Sequence, residues 1–402
     1  MPKDEKEKLV PNLRFKGFTD DWILYKLKDV SKRITRKNKE QIANIPLTIS
    51  DKFGLIDQRE YFTKKIASKD MSHYILLKKG EFAYNKSYSK KNIFGTVARL
   101  DNYDMGALST LYIAFEVENA DSTFIQKYYE SDKWHYGISK IANEGARNHG
   151  LLNISTQDFF DTRIKTPNNL DEQTKIGIIL EKLDNIITLE QEKLAHYKQI
   201  KMMLLSKLFA TKENSVPEMR FKEFSEKWAQ HELSEISSIT MGQSPSSNNY
   251  TNNPNDYILV QGNADLENGK VIPRIWTTEV TKSVNKGAII LTVRAPVGDV
   301  AISHYEVVLG RGVAALTGNY FIYYLLIRMN ATNYWRKYST GSTFESINSS
   351  DIQRALIVVP SLDEQEKIGY TLNKIDKIIT LEQTRIEHYQ SIKNNLLHNL
   401  FI

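Results

Sequence analysis

Leu170-Asp171-Glu172-Gln173 opens a 40-residue stretch that returns without a gap at Leu362-Asp363-Glu364-Gln365, 192 residues later. Residues 170–209 and 362–401 are identical at 24 of the 40 aligned positions. Both copies contain Ile-Ile-Thr-Leu-Glu-Gln, and both end in Leu-Phe. A repeat this long indicates that the chain carries two copies of one architectural unit, and therefore two similar surfaces for a partner.

A second repeat lies in front of each variable region. Pro11-Asn12-Leu13-Arg14-Phe15 leads to Trp22, and Pro217-Glu218-Met219-Arg220-Phe221 leads to Trp228. Each half of the chain therefore runs from this lead-in segment, through a variable body, to the Leu-Asp-Glu-Gln stretch. We predict domains at 1–168 and 213–360, each followed by a helical spacer, at 169–212 and 361–402.

The two spacers have the pattern of long helices. Apolar residues recur every three or four positions, neither spacer contains proline, and acidic residues stand near each start. A 35–40-residue helix is ~50–60 Å long at about 1.5 Å per residue, and its single apolar stripe needs a partner. We predict an antiparallel coiled coil between the two copies, with a pseudo-two-fold repeat. Its interface residues would be Ile176, Leu180, Leu183, Ile187, Leu194, Tyr197, Leu204, Leu208, Ile368, Leu372, Ile375, Ile379, Ile386, Tyr389, Leu396 and Leu400.

Four charged residues interrupt this apolar seam, at equivalent places in the two copies. Glu190 and Lys201 stand in the first copy, and Glu382 and Lys393 in the second. Such charges could mark an outer face that is reserved for another protein.

The two bodies differ strongly in sequence but have the same α+β character. Ile289-Ile290-Leu291-Thr292-Val293 and Leu111-Tyr112-Ile113-Ala114-Phe115 are short, β-branched or aromatic runs, which is typical of strands. Residues 123–133 and 320–328 favour helices at the side of a small sheet. The predicted fold class is therefore α+β, with two similar domains separated by the paired helices.

The composition limits the classes of function. Net charge is +6 from 54 basic and 48 acidic residues, a mild bias that is compatible with nucleic acid. The absence of cysteine excludes disulfides and thiolate metal sites and favours a cytoplasmic protein. No run is long and apolar enough to predict a membrane span. The sequence contains no phosphate-binding loop, dinucleotide loop, zinc motif or catalytic cluster, so we expect no metal site and no catalytic residues on this chain.

The chain resembles a specificity subunit of a type I restriction–modification system. The resemblance rests on the two Leu-Asp-Glu-Gln-x-x-Ile repeats behind Pro167 and Pro360, on the variable body before each, and on Gly-Ser-Thr-Phe-Glu-Ser-Ile at 341–347. It implies two target-recognition domains, each reading one half of an asymmetric, split sequence in double-stranded DNA. It implies further that the two helices hold these domains apart and dock two modification subunits, and that restriction subunits complete the complex.

The resemblance also implies that the cofactors lie elsewhere. S-adenosylmethionine would be bound by the modification subunits, which carry the adenine methyltransferase chemistry, and ATP and magnesium by the restriction subunits. This chain would be a non-catalytic recognition subunit without a cofactor of its own. The first body departs from the second where Gly145-Ala146-Arg147-Asn148 replaces Gly341-Ser342-Thr343, so a contact made by Ser342 or Thr343 does not transfer to it.

Candidate DNA-binding residues lie in polar or basic loops beside the predicted strands, where recognition commonly takes place. Arginine can bind guanine or phosphate, and glutamine or asparagine can pair with adenine. The same residues also fit ordinary solvated loops, and position alone does not separate the two interpretations. The candidates are Arg33, Arg36, Lys37, Lys86, Ser89, Lys90, Lys91, Asn92, Arg147, Asn148, Gln243, Ser244, Arg294, Arg311, Arg336, Lys337, Ser342 and Thr343.

Two other classes of function compete with DNA recognition. The duplicated helices alone would also permit a coiled-coil scaffold with two protein-binding heads and no DNA role. An enzyme with its active site in one body is a poorer alternative, because no catalytic cluster is apparent. Salt-dependent DNA binding would discriminate these classes.

Overall fold

Two units account for the residues that the computed structural model describes, which are 9–50, 53–62, 68, 70–90, 92–142, 150–211, 214–338 and 346–402. Unit 1 is drawn from residues 1–191 and 385–402, and unit 2 from 192–384. Each long helix is therefore divided at its middle between the two units. Each unit contains its own body, the start of the helix that follows this body, and the end of the other long helix.

The body of unit 1 contains many short strands. Its strands are β1 (Ile23–Lys26), β2 (Ser31–Arg33), β3 (Pro46–Ser50), β4 (Gly54–Asp57), β5 (Ile75–Lys78), β6 (Phe82–Asn85), β7 (Thr96–Arg99), β8 (Met105–Leu108), β9 (Ile113–Val117) and β10 (Arg163–Thr166). They pair as β2-β9-β6-β7, as β4-β3-β8-β5 and as the ribbon β1-β10. Its helices are α1 (Leu27–Val30), α2 (Gln58–Tyr61), α3 (Ser122–Glu130), α4 (His135–Ile141), α5 (Thr156–Phe160) and the first part of α6 (Leu170–Lys207).

Unit 2 has the same plan with more strands. They are β11 (Ala229–Glu232), β12 (Ile239–Met241), β13 (Tyr250–Thr251), β14 (Tyr257–Val260), β15 (Leu266–Glu267), β16 (Lys270–Val271), β17 (Trp276–Thr277), β18 (Ser283–Val284), β19 (Ile289–Thr292), β20 (Val300–Ile302), β21 (Val307–Leu309), β22 (Val313–Leu316) and β23 (Leu356–Val359). They form the sheets β12-β22-β19-β20-β16-β15 and β13-β17-β14-β21-β18 and the ribbon β11-β23. Its helices are α7 (Leu233–Ile236), α8 (Tyr320–Ala331), α9 (Ser349–Gln353) and the first part of α10 (Leu362–Leu400).

The α+β class and the two long helices are confirmed, with local shifts in the predicted elements. The strand predicted from Leu111 begins instead at Ile113. Leu111 is 63% exposed, and Tyr112 N donates to Ser109 O, which closes a turn there. Because a turn needs different backbone angles from a strand, the apolar character of Leu111 does not extend β9.

Within each unit, the start of one long helix packs against the end of the other. Ile176 and Leu180 share a hydrophobic cluster with Leu400 in unit 1, and Leu208 shares one with Ile368 in unit 2. The helices therefore run antiparallel within each unit. Of the sixteen predicted interface residues, Leu194, Tyr197, Leu204, Ile375, Tyr389 and Leu396 are half-buried and the other ten are buried.

The charged interruptions of the seam lie between the helices and do not form an outer face. In unit 1, Lys393 Nζ is 2.5 Å from Asp184 Oδ1, and Arg385 is 3.6 Å from Glu190. Unit 2 repeats both ion pairs: Lys201 Nζ is 2.6 Å from Asp376, and Lys193 Nζ is 2.8 Å from Glu382. The interpretation of these charges as a free surface was wrong, because spacing along one helix cannot show which acid on the other helix comes opposite.

Candidate nucleic-acid interface and docking helices

Three strands of unit 2 meet at one edge of its six-stranded sheet. Met241 ends β12 opposite Ala314 of β22, and Thr292 ends β19 opposite Val313. Since β22 runs antiparallel to both neighbours, its first residues lie beside their last ones. The segments that continue from these strand ends carry four of the candidate DNA-binding residues: Gln243, Ser244, Arg294 and Arg311.

The backbone is closely packed at this edge, while the arginine side chains stay exposed. Arg311 N donates to Ser244 Oγ at 3.0 Å. A Cβ on Gly312 would lie 2.0 Å from Gln261 O, so this close approach requires glycine. Arg294 and Arg311 are exposed. A fixed backbone that presents free guanidinium groups can bind phosphates and the edges of bases.

Gln261 was not among the residues that the sequence predicted, although it lies beside this edge, at the end of a strand of the five-stranded sheet. It directly follows β14, and its side-chain Nε2 donates to Tyr250 OH at 2.8 Å. The sequence signal that could have indicated Gln261 is an amide side chain immediately after an apolar strand. Its relation to Arg311 is not visible in the sequence, because Gln261 lies about 50 residues before Arg311 in the chain. Only the pairing of β14 with β21 brings the two segments together.

The sheet β2-β9-β6-β7 of unit 1 has a corresponding edge. Arg33 ends β2, and Lys86 directly follows β6. Leu152 N donates to Lys86 O at 2.9 Å, and in unit 2 Ile347 N donates to Val293 O at 3.0 Å. In unit 1, the segment after β6 therefore pairs with the segment that follows the predicted loop at Gly145. In unit 2, the segment after β19 pairs in the same way with the segment that follows the predicted loop at Gly341.

Three basic candidates of unit 1 have partners inside the unit. Arg36 Nη2 donates to both carboxylate oxygens of Glu81, each at 2.8 Å. Lys37 Nζ donates to a backbone carbonyl at 3.1 Å, and Lys86 Nζ to another at 3.3 Å. Arg33, by contrast, is exposed. These bonds give Arg36 and Lys86 a structural role that loop composition did not indicate.

The remaining candidates fall into three groups. Ser89 and Asn92 close a turn through two hydrogen bonds, from Ser89 N to Asn92 O at 3.0 Å and from Asn92 N to Ser89 Oγ at 3.1 Å. Lys90 and Arg336 are exposed. Lys91, Arg147, Asn148, Ser342, Thr343 and the side chain of Lys337 lie outside the described residues.

Each long helix also presents an outer stripe opposite its buried seam, and the residues of this stripe are exposed except for the half-buried Ile378. We define it as Ile178, Lys182, Ile186 and Leu189 on α6, in unit 1, and as Tyr370, Lys374, Ile378 and Leu381 on α10, in unit 2. At about 100° per residue, positions spaced by four, four and three share one face of a helix. Leu189 is 62% exposed and Leu381 56%.

Three of the four stripe residues repeat in sequence, whereas part of the flanking exposed surface does not. Lysine, isoleucine and leucine are identical between Lys182, Ile186 and Leu189 and their counterparts, whereas the exposed Glu181 and Asn185 become asparagine and lysine. A helix face that contacts only water gains nothing from exposed apolar residues, so there is no physical reason for the same ones to occur in both copies. The stripe therefore has the properties of a surface that is used twice.

Neither a metal site nor a membrane helix is evident in the part of the chain that the structure describes. No cluster of three or more His, Cys, Asp or Glu side chains there could hold a metal ion. No helix among these residues is both long and apolar enough to span a bilayer.

Comparisons with known proteins agree on one family. Residues 225–389 match the model described as type I restriction modification DNA specificity domain. The chain is 26% identical to the MjaX type I restriction enzyme specificity subunit of Methanocaldococcus jannaschii, over 95% of this chain and 93% of that protein.

Two solved structures share the fold. The S subunit of a type I restriction–modification system from M. genitalium aligns with a TM-score of 0.62 and 16% identity, over 98% of this chain and 99% of that one. A chain from a type I system, solved to describe complex assembly and conformational transition, aligns with a TM-score of 0.57 and 19% identity, over 96% and 98%. The resemblance that the repeats predicted is thus confirmed: along nearly its whole length, this chain is similar to the specificity subunits of type I restriction–modification systems.

Proposed function

We propose that the chain is the DNA-recognition subunit of a type I restriction–modification complex and acts in the cytoplasm. Each unit would read one half of an asymmetric, bipartite target in double-stranded DNA. The observation that carries this proposal is the repeated sheet edge, which has the same topology in both units but presents different side chains. Arg294 and Arg311 stand exposed at this edge in unit 2, and Arg33 in unit 1. Two unlike readers on one scaffold imply two unlike half-sites.

We propose that the outer stripe docks the modification subunits, one on α6 and one on α10. Its support is the identity of Lys182, Ile186 and Leu189 with their counterparts on a face that is exposed in each unit. Exposed leucine and isoleucine beside lysine suit a partner surface that is apolar with an acidic rim. The modification subunits would supply S-adenosylmethionine and the methyltransferase chemistry, and restriction subunits would supply ATP- and magnesium-dependent activity.

We further propose that the two helices determine the non-specific spacer between the half-sites. A turn of helix is ~5.4 Å and a base-pair step ~3.4 Å, so lengthening the helices by one turn should change the spacer by about a base pair. An unchanged spacer in such a variant would argue against this role.

The test of DNA recognition is a genome-wide map of N6-methyladenine in cells that co-express the chain with its modification subunit. We expect a split, asymmetric motif. In the same assay, Arg311→Ala should weaken one half-site by about 1–3 kcal/mol, as loss of a base contact does, and leave the other unchanged. Lys90→Ala, in an exposed loop of unit 1, is a control that must not change the half-site read by unit 2. A contiguous motif, or an active complex that methylates no DNA, would favour the scaffold alternative.

The docking proposal has its own measurement, the stoichiometry of the complex by native mass spectrometry. Leu189→Asp places a charge on the outer stripe of α6 and should leave one modification subunit bound where the wild type binds two. Leu189→Asp combined with Leu381→Asp should release both. Glu181→Lys changes an exposed residue of the same helix outside the stripe, and it should keep both subunits bound.

A further inference from the structure

The third residue of each long helix joins that helix to the lead-in segment of its own unit. In unit 1, Arg14 Nε and Nη2 donate to the two carboxylate oxygens of Glu172 at 2.7 and 2.9 Å. Trp22 Nε1 donates to the same carboxylate at 3.4 Å. The Glu172 side chain is only 1% exposed. A buried carboxylate that accepts three hydrogen bonds from two side chains has a single favourable position.

Unit 2 repeats this arrangement in the same geometry. Arg220 Nε and Nη2 donate to the two oxygens of Glu364, each at 2.8 Å, and Trp228 Nε1 donates at 3.1 Å. The exposures of the arginine and glutamate side chains, 12% and 1%, equal those in unit 1. We call each set of three residues a clamp.

Each clamp also reaches the end of the other long helix through the lead-in segment. Arg14 Nη2 donates to Asp20 O at 2.6 Å, which folds the segment back on itself. Leu13 N donates to Asn399 O, and in unit 2 Met219 N donates to Lys207 O, at 3.0 and 2.9 Å. The lead-in segment is thus bonded to the start of one helix and to the end of the other.

The same segment continues directly into the body. In unit 1, Trp22 is followed by β1, and its ring lies 5.9 Å from that of Phe124 in α3. In unit 2, Trp228 is followed by β11, and its ring lies 5.7 Å from that of Phe321 in α8. A shift of the clamp would therefore move the body relative to the helix that carries it.

We propose that Glu172 and Glu364 are positioning residues, which fix the angle at which each body is held on its helix and so restrict the complex to one spacer length. This inference rests on the proposed function, because a spacer exists only if the two bodies read two half-sites. A loosened clamp leaves the sheet edges, and hence the bases that they read, unchanged. It permits each body to reach sites that are one base pair nearer or farther.

The experiment measures spacer tolerance in the methylation map of the full complex. Glu172→Gln keeps the size of the side chain but removes the charge, and its amide group cannot accept both arginine bonds. We expect unchanged half-site bases, and an increase of about tenfold in methylation at spacers one base pair longer or shorter, which corresponds to ~1.4 kcal/mol. Glu364→Gln should do the same. Glu181→Gln, on the exposed side of α6, should keep the single spacer.

Two milder variants keep the test decisive if Glu172→Gln folds poorly. Arg14→Lys retains the charge but loses the paired hydrogen bonds, and Trp22→Phe retains the ring but loses the Nε1 donor. Both should broaden the spacer, and Arg14→Lys combined with Glu172→Gln should broaden it no further than Glu172→Gln alone, since they remove one interaction.

A purely stabilising role predicts a different pattern. Methylation would then fall equally at all sites, together with the melting temperature, while the spacer stayed single. That result in Arg14→Lys and Trp22→Phe would overturn the positioning role. Failure of the proposed function would be visible separately, because the wild-type complex itself would then lack a split motif.

Discussion

The two units join the same helical surface to their bodies in different ways. In unit 1 the link is a cluster of four charges. Lys127 Nζ lies 2.5 Å from Asp184 Oδ2 and 2.7 Å from Glu130 Oε1. Lys393 Nζ lies 2.5 Å from Asp184 Oδ1 and 2.7 Å from Glu130 Oε2. The Lys127 side chain is 5% exposed, so these two carboxylates compensate the cost of burying its ammonium group.

In unit 2 a neutral hydroxyl takes the place of the lysine. Tyr324 OH donates to Asp376 Oδ2 at 2.7 Å, and Lys201 binds Oδ1 of the same residue at 2.6 Å. A tyrosine hydroxyl is protonated at neutral pH, and burial followed by the charge of Asp376 raises the pKa of Tyr324 further, so this group stays a donor at alkaline pH as well. Asp376 and Lys201 are the repeat counterparts of Asp184 and Lys393.

This comparison shows which side of the joint is constant. The helices contribute an aspartate and a lysine in both units, whereas the body contributes either Lys127 or Tyr324. A body can therefore change its sequence as long as it offers a donor to the helix aspartate. Such a joint permits two unlike bodies to be carried by one repeated scaffold.

The largest effect is expected where the buried ammonium group of Lys127 is removed from its cluster of charges. Lys127→Met should lower the free energy of unfolding of unit 1 by ~3 kcal/mol, because two partly buried carboxylates would then share Lys393 alone. The measurement is thermal unfolding of the purified chain, in which the first unfolding transition reports the stability of the less stable unit. A loss below the error of the measurement would mean that Lys393 is sufficient for both acids.

A second variant of the same site tests whether the two joints are interchangeable. Lys127→Tyr with Glu130→Ile reproduces in unit 1 the Tyr324 and Ile327 pair of unit 2. We expect it to regain more than half of the stability that Lys127→Met loses. A double variant as unstable as Lys127→Met would show that the joint depends on its surroundings and that the comparison between the units is superficial.

A smaller effect is expected at the glycine where each helix crosses its body. A Cβ on Gly369 would lie 2.7 Å from Phe321 N and 2.9 Å from Tyr320 Cβ, whereas one on Gly177 would lie 3.1 Å from Phe124 N. Gly369→Ala should therefore cost about 2 kcal/mol by overpacking. Gly177→Ala should cost less than ~1 kcal/mol, since the helix propensity of alanine offsets the tighter contact.

Thermal unfolding of both glycine variants checks this order. Asn185→Ala, at an exposed position of α6, provides the matched control and should be neutral within error. Equal losses at the two glycines would contradict the closer approach in unit 2.

The repeats made the helices and their seam predictable because the pattern that specifies them is local. Helix periodicity and the acidic residues near each helix start are visible within a few turns of chain. Each spacer also contains a single glycine, Gly177 or Gly369, and the close contact with the body that explains this glycine is visible only in the fold. The clamp could not be predicted from such a pattern, because Arg14 lies 158 residues from Glu172. The lead-in repeat and the helix repeat are both visible in the sequence, but nothing in the sequence indicates that the two repeats contact each other.

The sheet edges were harder to predict for the same reason. Ser244 and Arg311 belong to loops 67 residues apart, and their hydrogen bond follows from the order of strands in the sheet. The sequence predicts Arg36 as a DNA-binding residue because the buried Glu81 that binds it is 45 residues away. Charge in a loop is visible in a sequence, but the partner that neutralises it is not.

The smallest effect is expected at the neutral joint of unit 2. Tyr324→Phe removes one hydrogen bond to Asp376 but leaves Lys201 at 2.6 Å from the same carboxylate, so the loss should be ~1 kcal/mol. Tyr320→Phe alters an exposed tyrosine of α8 and should change nothing measurable. The ratio of the Tyr324→Phe and Lys127→Met losses, obtained from the same unfolding assay, then compares the two joints directly. If Tyr324→Phe proved as damaging as Lys127→Met, the hydroxyl would carry as much of the joint as the lysine ammonium does. The helix aspartate would then require a strong donor in both units, and the freedom of the bodies to vary at this position would be correspondingly smaller.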